Sequence, residues 1–338
     1  MNTRLCTAAA LFASAAVMPY PAFAFDEVVA SVKPIHSLVS AVMEGVGNPE
    51  LLVKGAASPH TYSLRPSEAR ALEQAKLIFW VGEGLEPFLQ RPLETLAANA
   101  AVVELSQAHG IVRLGFREGG AFEAHDHDDG HDHAHDAGEH DHGAHEEHDD
   151  HDHEGHDHHE DHAHEGMDMH LWLDPMNAKA MVHEIEEALS KADPSNAATY
   201  AANAAEVSAR LDALMAETAS ALDPIRGMGF VVFHDAYQYF EQRFGISAAG
   251  SITVSPEAIP GAQRLSEMQE KVAELGATCI FAEPQFEPRL VSVVAEGTQA
   301  RSGVLDPLGA ELEDGPELYF DLIRNLTTSL TTCLAQEG

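Results

Sequence analysis

Short apolar runs rich in β-branched and aromatic residues alternate along this chain with stretches of helical periodicity. Val28–Val32, Leu51–Val53, Leu77–Val81 and Ala101–Leu105 read as strands. Between them Ser37–Glu44, Pro66–Ala75 and Pro87–Asn99 read as helices. The run from Leu77 to Val81 has no polar position, as expected of a strand covered on both faces. After a long interruption the pattern resumes with a helix over Asn177–Lys191. Asp193 and Pro194 then read as the N-cap and first residue of the next helix. No Gly or Pro breaks Ser195–Leu222, which predicts a helix roughly 40 Å long. A second series follows, with strands at Gly229–Phe233, Ser251–Val254, Thr278–Ala282 and Gly303–Leu305. Its helices fall at Ala236–Phe244, Ala262–Leu275, Leu290–Thr298 and Glu317–Ala335. The alternation predicts an α/β protein of two (β/α)4-like lobes, each with a mostly parallel four-stranded sheet, joined by one long helix.

The ends and the cysteines set the compartment. Arg4, the apolar run Leu5–Met18 and the Ala22-Phe23-Ala24 cleavage pattern read as a secretory signal peptide, with Phe25 as the first mature residue. The run is too short for a membrane span, which needs about 20 apolar residues. Periplasmic residence is therefore expected. Removing the signal leaves Cys279 and Cys333. In an exported chain they can form one disulfide, tying a strand to the last helix, or stay as two buried thiols. The expected divisions are 1–24 for the signal, 25–192 for the first lobe, 193–222 for the linking helix and 223–338 for the second lobe.

Composition changes the picture at one place. His125 to His164 spans 40 residues, of which 16 are His and 16 are Asp or Glu; the remainder is Gly and Ala. Such a segment has no apolar face to bury and is expected to be a disordered insertion, within a flexible acidic stretch over 119–168. The formal net charge of the whole chain is −36. That excess argues against nucleic acid and anionic membrane surfaces as partners.

Four residues stand where a two-lobed α/β protein places a ligand, beyond the carboxyl ends of strands and in the cleft. His60 and His170 lie in loops of the first lobe; His234 and Asp306 end strands of the second. Three imidazoles and a carboxylate suit tetrahedral Zn²⁺, whereas carboxylate-rich sites favour Mn²⁺ or Mg²⁺. His36, His109 and His183 read as ordinary surface or hydrogen-bonded histidines.

Taken together, four motifs carry a resemblance. Ser58-Pro59-His60-Thr61-Tyr62, His170-Leu171-Trp172-Leu173-Asp174-Pro175, His234-Asp235-Ala236-Tyr237 and Val304-Leu305-Asp306-Pro307-Leu308 resemble, in order, the ligand motifs of the cluster A-I (cluster 9) solute-binding proteins of ABC transporters. His234 and the His-rich insertion are similar to the ZnuA-type zinc subgroup. The resemblance implies His60, His170 and His234 as zinc ligands, with Asp306 or a water as the fourth. Pro59 stands where some of these proteins have Glu, so no carboxylate can enter there. It also implies a Cys279–Cys333 bridge, modest closure around the ion, and no enzymatic activity. The implied partners are Zn²⁺ and an inner-membrane permease, with a periplasmic zinc chaperone as a further candidate; a monomer is expected.

The insertion supplies His125, His127, His131, His133, His135, His140, His142, His145, His148, His151, His153, His156, His158, His159, His162 and His164. These imidazoles beside carboxylates predict additional, weaker zinc sites, weaker because ordering the segment costs conformational entropy. Three other readings compete: a manganese or broad divalent carrier, a secreted zinc hydrolase, and a zinc storage or chaperone protein. Against a hydrolase, the chain has neither HExxH nor GxSxG.

Overall fold

The computed structural model describes residues 25–117, 122, 166–253, 261–274, 278–286 and 288–335. The proposed signal segment, 1–24, and the histidine-rich stretch, 125–164, lie outside the described residues.

The first lobe is built from β1 (Val28–Ala30), α1 (Lys33–Val42), β2 (Glu50–Leu51), α2 (Pro66–Gln74), β3 (Leu77–Trp80), α3 (Gln90–Leu96), β4 (Ala101–Glu104) and α4 (Pro175–Ala192). The second contains β5 (Phe230–His234), α6 (Gln238–Phe244), β6 (Gly250–Thr253), α7 (Ala262–Glu274), β7 (Cys279–Ala282), α8 (Pro288–Ala295), β8 (Arg301–Val304) and α9 (Leu318–Leu334). Helix α5, Ala197–Leu222, connects them over 26 residues, about 39 Å. Both sheets are wholly parallel and share one topology, β2-β1-β3-β4 and β6-β5-β7-β8. The strand order reverses at β1/β3 and again at β5/β7, and ligand crevices of such sheets open at those points.

Period-two alternation puts each central strand in two cores. Leu77 and Phe79 face the central core, while Ile78 and Trp80 face an outer one shared with Leu72, Leu89 and Leu93. Phe230 and Val232 do the same in the second lobe, with Val231 and Phe233 packed against Met268, Val272 and Val291. The central core runs without a break through both lobes. Hydrogen bonds stitch the same interface. The buried Lys33 Nζ donates to the carbonyls of Ala310 (3.2 Å) and Leu312 (2.7 Å), and Arg243 forks onto Asp174 at 2.6 and 2.7 Å. A continuous core and buried cross-lobe bonds oppose a wide hinge opening.

Two local readings change. Helix α1 begins at Lys33 rather than Ser37, because Pro34 occupies its first turn, where its missing N–H costs nothing. Asp193 is not the cap of the long helix. Its carboxylate accepts from Ser195, Asn196 and the Tyr200 hydroxyl, and the helix starts at Ala197 with Asn196 before it. Cys279 and Cys333 are joined, tying β7 to α9 across 54 positions. Closing a loop of that size contributes about 4 kcal/mol by chain entropy. No helix of the described residues is long and apolar enough to cross a membrane.

Candidate metal centre

Each histidine of the cleft is delivered by a different local device. His60 sits in a 3₁₀ turn, Pro59–Thr61, opened by a proline. His170 precedes the 3₁₀ turn Leu171–Leu173, whose three side chains are fully buried and pin it in place. His234 is the last residue of β5. The register that pairs Phe230 with Cys279 and Val231 with Ile280, continued along the two strands, sets His234 beside Glu283. Its ring Nδ1 lies 2.7 Å from Glu283 Oε1. His170 Nδ1 lies likewise 2.7 Å from Asp168 Oδ1, and the His170 backbone N–H donates to the same oxygen at 2.9 Å. A carboxylate only accepts, so each ring carries its proton on Nδ1 and presents the lone pair of Nε2 to the cleft.

These lone pairs converge. His170 Nε2 lies 3.4 Å from His60 Nε2 and 3.3 Å from His234 Nε2, and all three ligand atoms fall within 4.8 Å of one another. With Nδ1 protonated, His170 and His234 bring two acceptors together, an arrangement that a proton or a cation held between them relieves. A tetrahedron with zinc–nitrogen bonds of about 2.0–2.1 Å has edges of about 3.3–3.4 Å, which matches the two distances from His170. His170 and His234 are 7% and 4% exposed, whereas His60 is half-buried. Trp172, Phe286, Pro307 and Leu308 close the chamber with apolar surface.

The electrostatics of the rings differ. Burial, reinforced by the neighbouring His170 and His234, holds His60 well below the ordinary histidine value of 6.5 and keeps it neutral. Burial also opposes a charge on His234, but the Glu283 carboxylate outweighs it and raises that ring above 6.5. Tyr237 donates its only proton to the Leu305 carbonyl (3.1 Å). Burial, then the charges of Glu283 and Asp306, push its ionisation well above 10.

Of the four residues expected at the site, the fold brings together His60, His170 and His234. Asp306 is not in the cluster. Its Oδ1 accepts from Leu308 N–H (3.1 Å), Gly309 N–H (3.0 Å) and Gln285 (2.9 Å), and its Oδ2 from Ala310 N–H. A carboxylate engaged by four donors shapes the loop after β8. His36 is buried with Nε2 on the Pro49 carbonyl, and His183 is exposed beside Glu187. Sequence reasoning missed Asp168 and Glu283. Glu283 follows the end of β7, the same strand-end position that singled out His234.

The family model described as "ZnuA: Zinc-uptake complex component A periplasmic" matches residues 28–333. The chain belongs to the ZnuA family. The high-affinity zinc uptake system protein ZnuA of Brucella suis is 55% identical over 311 residues, covering 92% of each chain. The Yersinia pestis ZnuA is 37% identical over 330 residues, covering 96% of each. Among solved structures, a zinc-bound ZnuA deletion mutant matches at a TM-score of 0.71 and 22% identity, over 93% of this chain and 100% of that one. A crystal structure of ZnuA matches at 0.70. These structures share the ZnuA fold of two parallel-sheet lobes. In this member of the family the three cleft histidines occupy the crevice between the lobes.

Proposed function

We propose that this chain captures Zn²⁺ in the periplasm through His60, His170 and His234 and delivers it to an ABC-type importer in the inner membrane. The observation that carries the reading is the convergence of the three Nε2 atoms within 4.8 Å, with both distances from His170 those of a tetrahedral zinc edge. Family membership supports the transport role: ZnuA-type proteins are binding components of uptake systems and not enzymes. Residues 1–24 serve as the export signal, and the lobes over 25–192 and 223–338 close on the ion across the helix within 193–222. The histidines between 125 and 164 hold further zinc more weakly, because no scaffold fixes them.

Zinc titration of the protein lacking residues 125–164 tests this division. One tight site per chain remains, and total zinc falls. Disappearance of the tight site would show that the cleft histidines do not suffice.

The raised His234 sets the pH dependence. Zinc binding must expel the proton of that ring, so apparent affinity is full above its pKa and falls as pH drops through it. The decline therefore begins above pH 6.5, at about tenfold per pH unit for this one proton. His60 adds no loss in that window, since it is already neutral. Chelator competition between pH 8 and 5 measures the onset; a decline starting only well below 6.5 would contradict the assignment.

A further inference from the structure

The buried carboxylates nearest the cleft histidines differ in their partners. Asp235 and Glu241 are engaged by the guanidinium of Arg117, with Arg117–Glu241 at 2.7 Å, and Asp174 by Arg243 at 2.6 Å. Asp168 and Glu283 have no Lys or Arg partner among the described residues. Both are buried, at 0% and 3% exposed. Each spends one oxygen on the Nδ1 of a cleft histidine, at 2.7 Å, and each leaves the other, Asp168 Oδ2 and Glu283 Oε2, buried with no hydrogen-bond partner. So the two buried acids bonded to the histidines lack an arginine among the described residues; Asp306, which lacks one as well, is only half-buried and has both oxygens engaged by hydrogen-bond donors.

Orientation of the rings does not require this. A backbone carbonyl or an amide oxygen fixes an Nδ1–H tautomer equally well, at no charge. Burying an unpaired anion is costly, and native folds tolerate it where a counter-ion arrives. Three neutral imidazoles contribute no charge of their own. A dication among them meets two carboxylates and the buried total is zero. A monovalent ion would leave the pocket negative, and a trivalent one would leave it positive.

Resting on the zinc-capture reading, we infer that Asp168 and Glu283 are specificity-determining residues that act as a valence filter: their two unneutralised charges select a divalent ion. The histidines supply the geometry, and the acids behind them supply the charge. The metal-free protein carries the pair at a cost in stability, and the ion removes that cost.

Amide substitution separates charge from orientation, because Asn and Gln keep an oxygen that accepts from Nδ1–H. For Glu283→Gln and Asp168→Asn, measured in the protein lacking residues 125–164 at pH 8, two opposite changes are expected. Zinc affinity falls by about 10–100-fold for each. The melting temperature of the metal-free protein rises, by about 2–4 °C for each kcal/mol recovered. Asp174→Asn, which removes a charge that Arg243 neutralises, leaves zinc affinity within about twofold. Unchanged zinc affinity in both amide variants overturns the filter and leaves orientation as the acids' whole role. A lower metal-free melting temperature, or failure of both variants to fold, overturns it too, since the charges would then stabilise the fold. Failure of the underlying zinc reading looks different: His234→Ala would retain the affinity of the unsubstituted protein.

Discussion

Replacing His234 or His170 by alanine lowers zinc affinity on the order of 10²–10⁴-fold. Structural zinc sites in zinc-finger peptides are worth about 10–16 kcal/mol, which sets the scale. Three imidazoles share that total, so each is worth roughly 3–5 kcal/mol, and every 1.4 kcal/mol is a factor of ten. The substitution also takes the ring donor from a buried carboxylate, leaving it only a backbone N–H. Without the His234 ring, Glu283 Oε1 loses its 2.7 Å partner while Oε2 already has none. Asp168 likewise loses the His170 ring, though its Oδ1 keeps the backbone N–H of position 170 at 2.9 Å. His60 has no carboxylate bonded to it among the described residues, so His60→Ala costs less than either of the other two. The comparison belongs in protein lacking residues 125–164, where no spare imidazole can substitute. Competitive titration with a zinc chelator checks it. Equal losses for all three variants would show that the acids behind His170 and His234 add nothing.

Much of this architecture was legible because burial leaves a period in the sequence. Strands covered on both faces show as unbroken apolar runs such as Leu77–Trp80, and amphipathic helices follow them. The three histidines were legible as well, since each stands at a strand end or in a loop facing the cleft. Periodicity does not report where a polar side chain turns. Asp306 follows β8, a position that serves a ligand or a loop cap equally, and the pattern does not state that its carboxylate accepts from the Leu308, Gly309 and Ala310 N–H groups. Glu283 became visible only once β5 and β7 were known to be neighbours, which no local pattern states. Asp168 was hidden by its surroundings, one acid at the edge of a stretch crowded with them. Asp193 failed as a cap for a related reason: its carboxylate had three competing local donors, and the backbone followed them instead.

Trp172→Ala is the largest stability loss expected from a single substitution, because this indole joins the lobes and supports the site at once. The side chain is wholly buried in the continuous core and its ring lies 5.4 Å from that of His170. Its Nε1–H donates to the Pro307 carbonyl of the other lobe at 2.8 Å, and its own carbonyl accepts from Tyr319 Oη at 2.6 Å. Truncation empties a cavity costing about 3–5 kcal/mol and leaves the Pro307 carbonyl without its donor, about 1 kcal/mol more. For a chain of this size that lowers the melting temperature on the order of 10 °C. Trp172→Phe keeps most of the volume but loses the N–H and part of the fused ring, so its cost is about 2–3 kcal/mol. Because one core runs through both lobes, the metal-free protein unfolds in a single transition, and Trp172→Ala either shifts that transition whole or splits it. Splitting would mean that the indole is what couples the lobes. A shift below about 3 °C would mean that the core collapses around the missing ring, and that His170 is held by Leu171 and Leu173 alone.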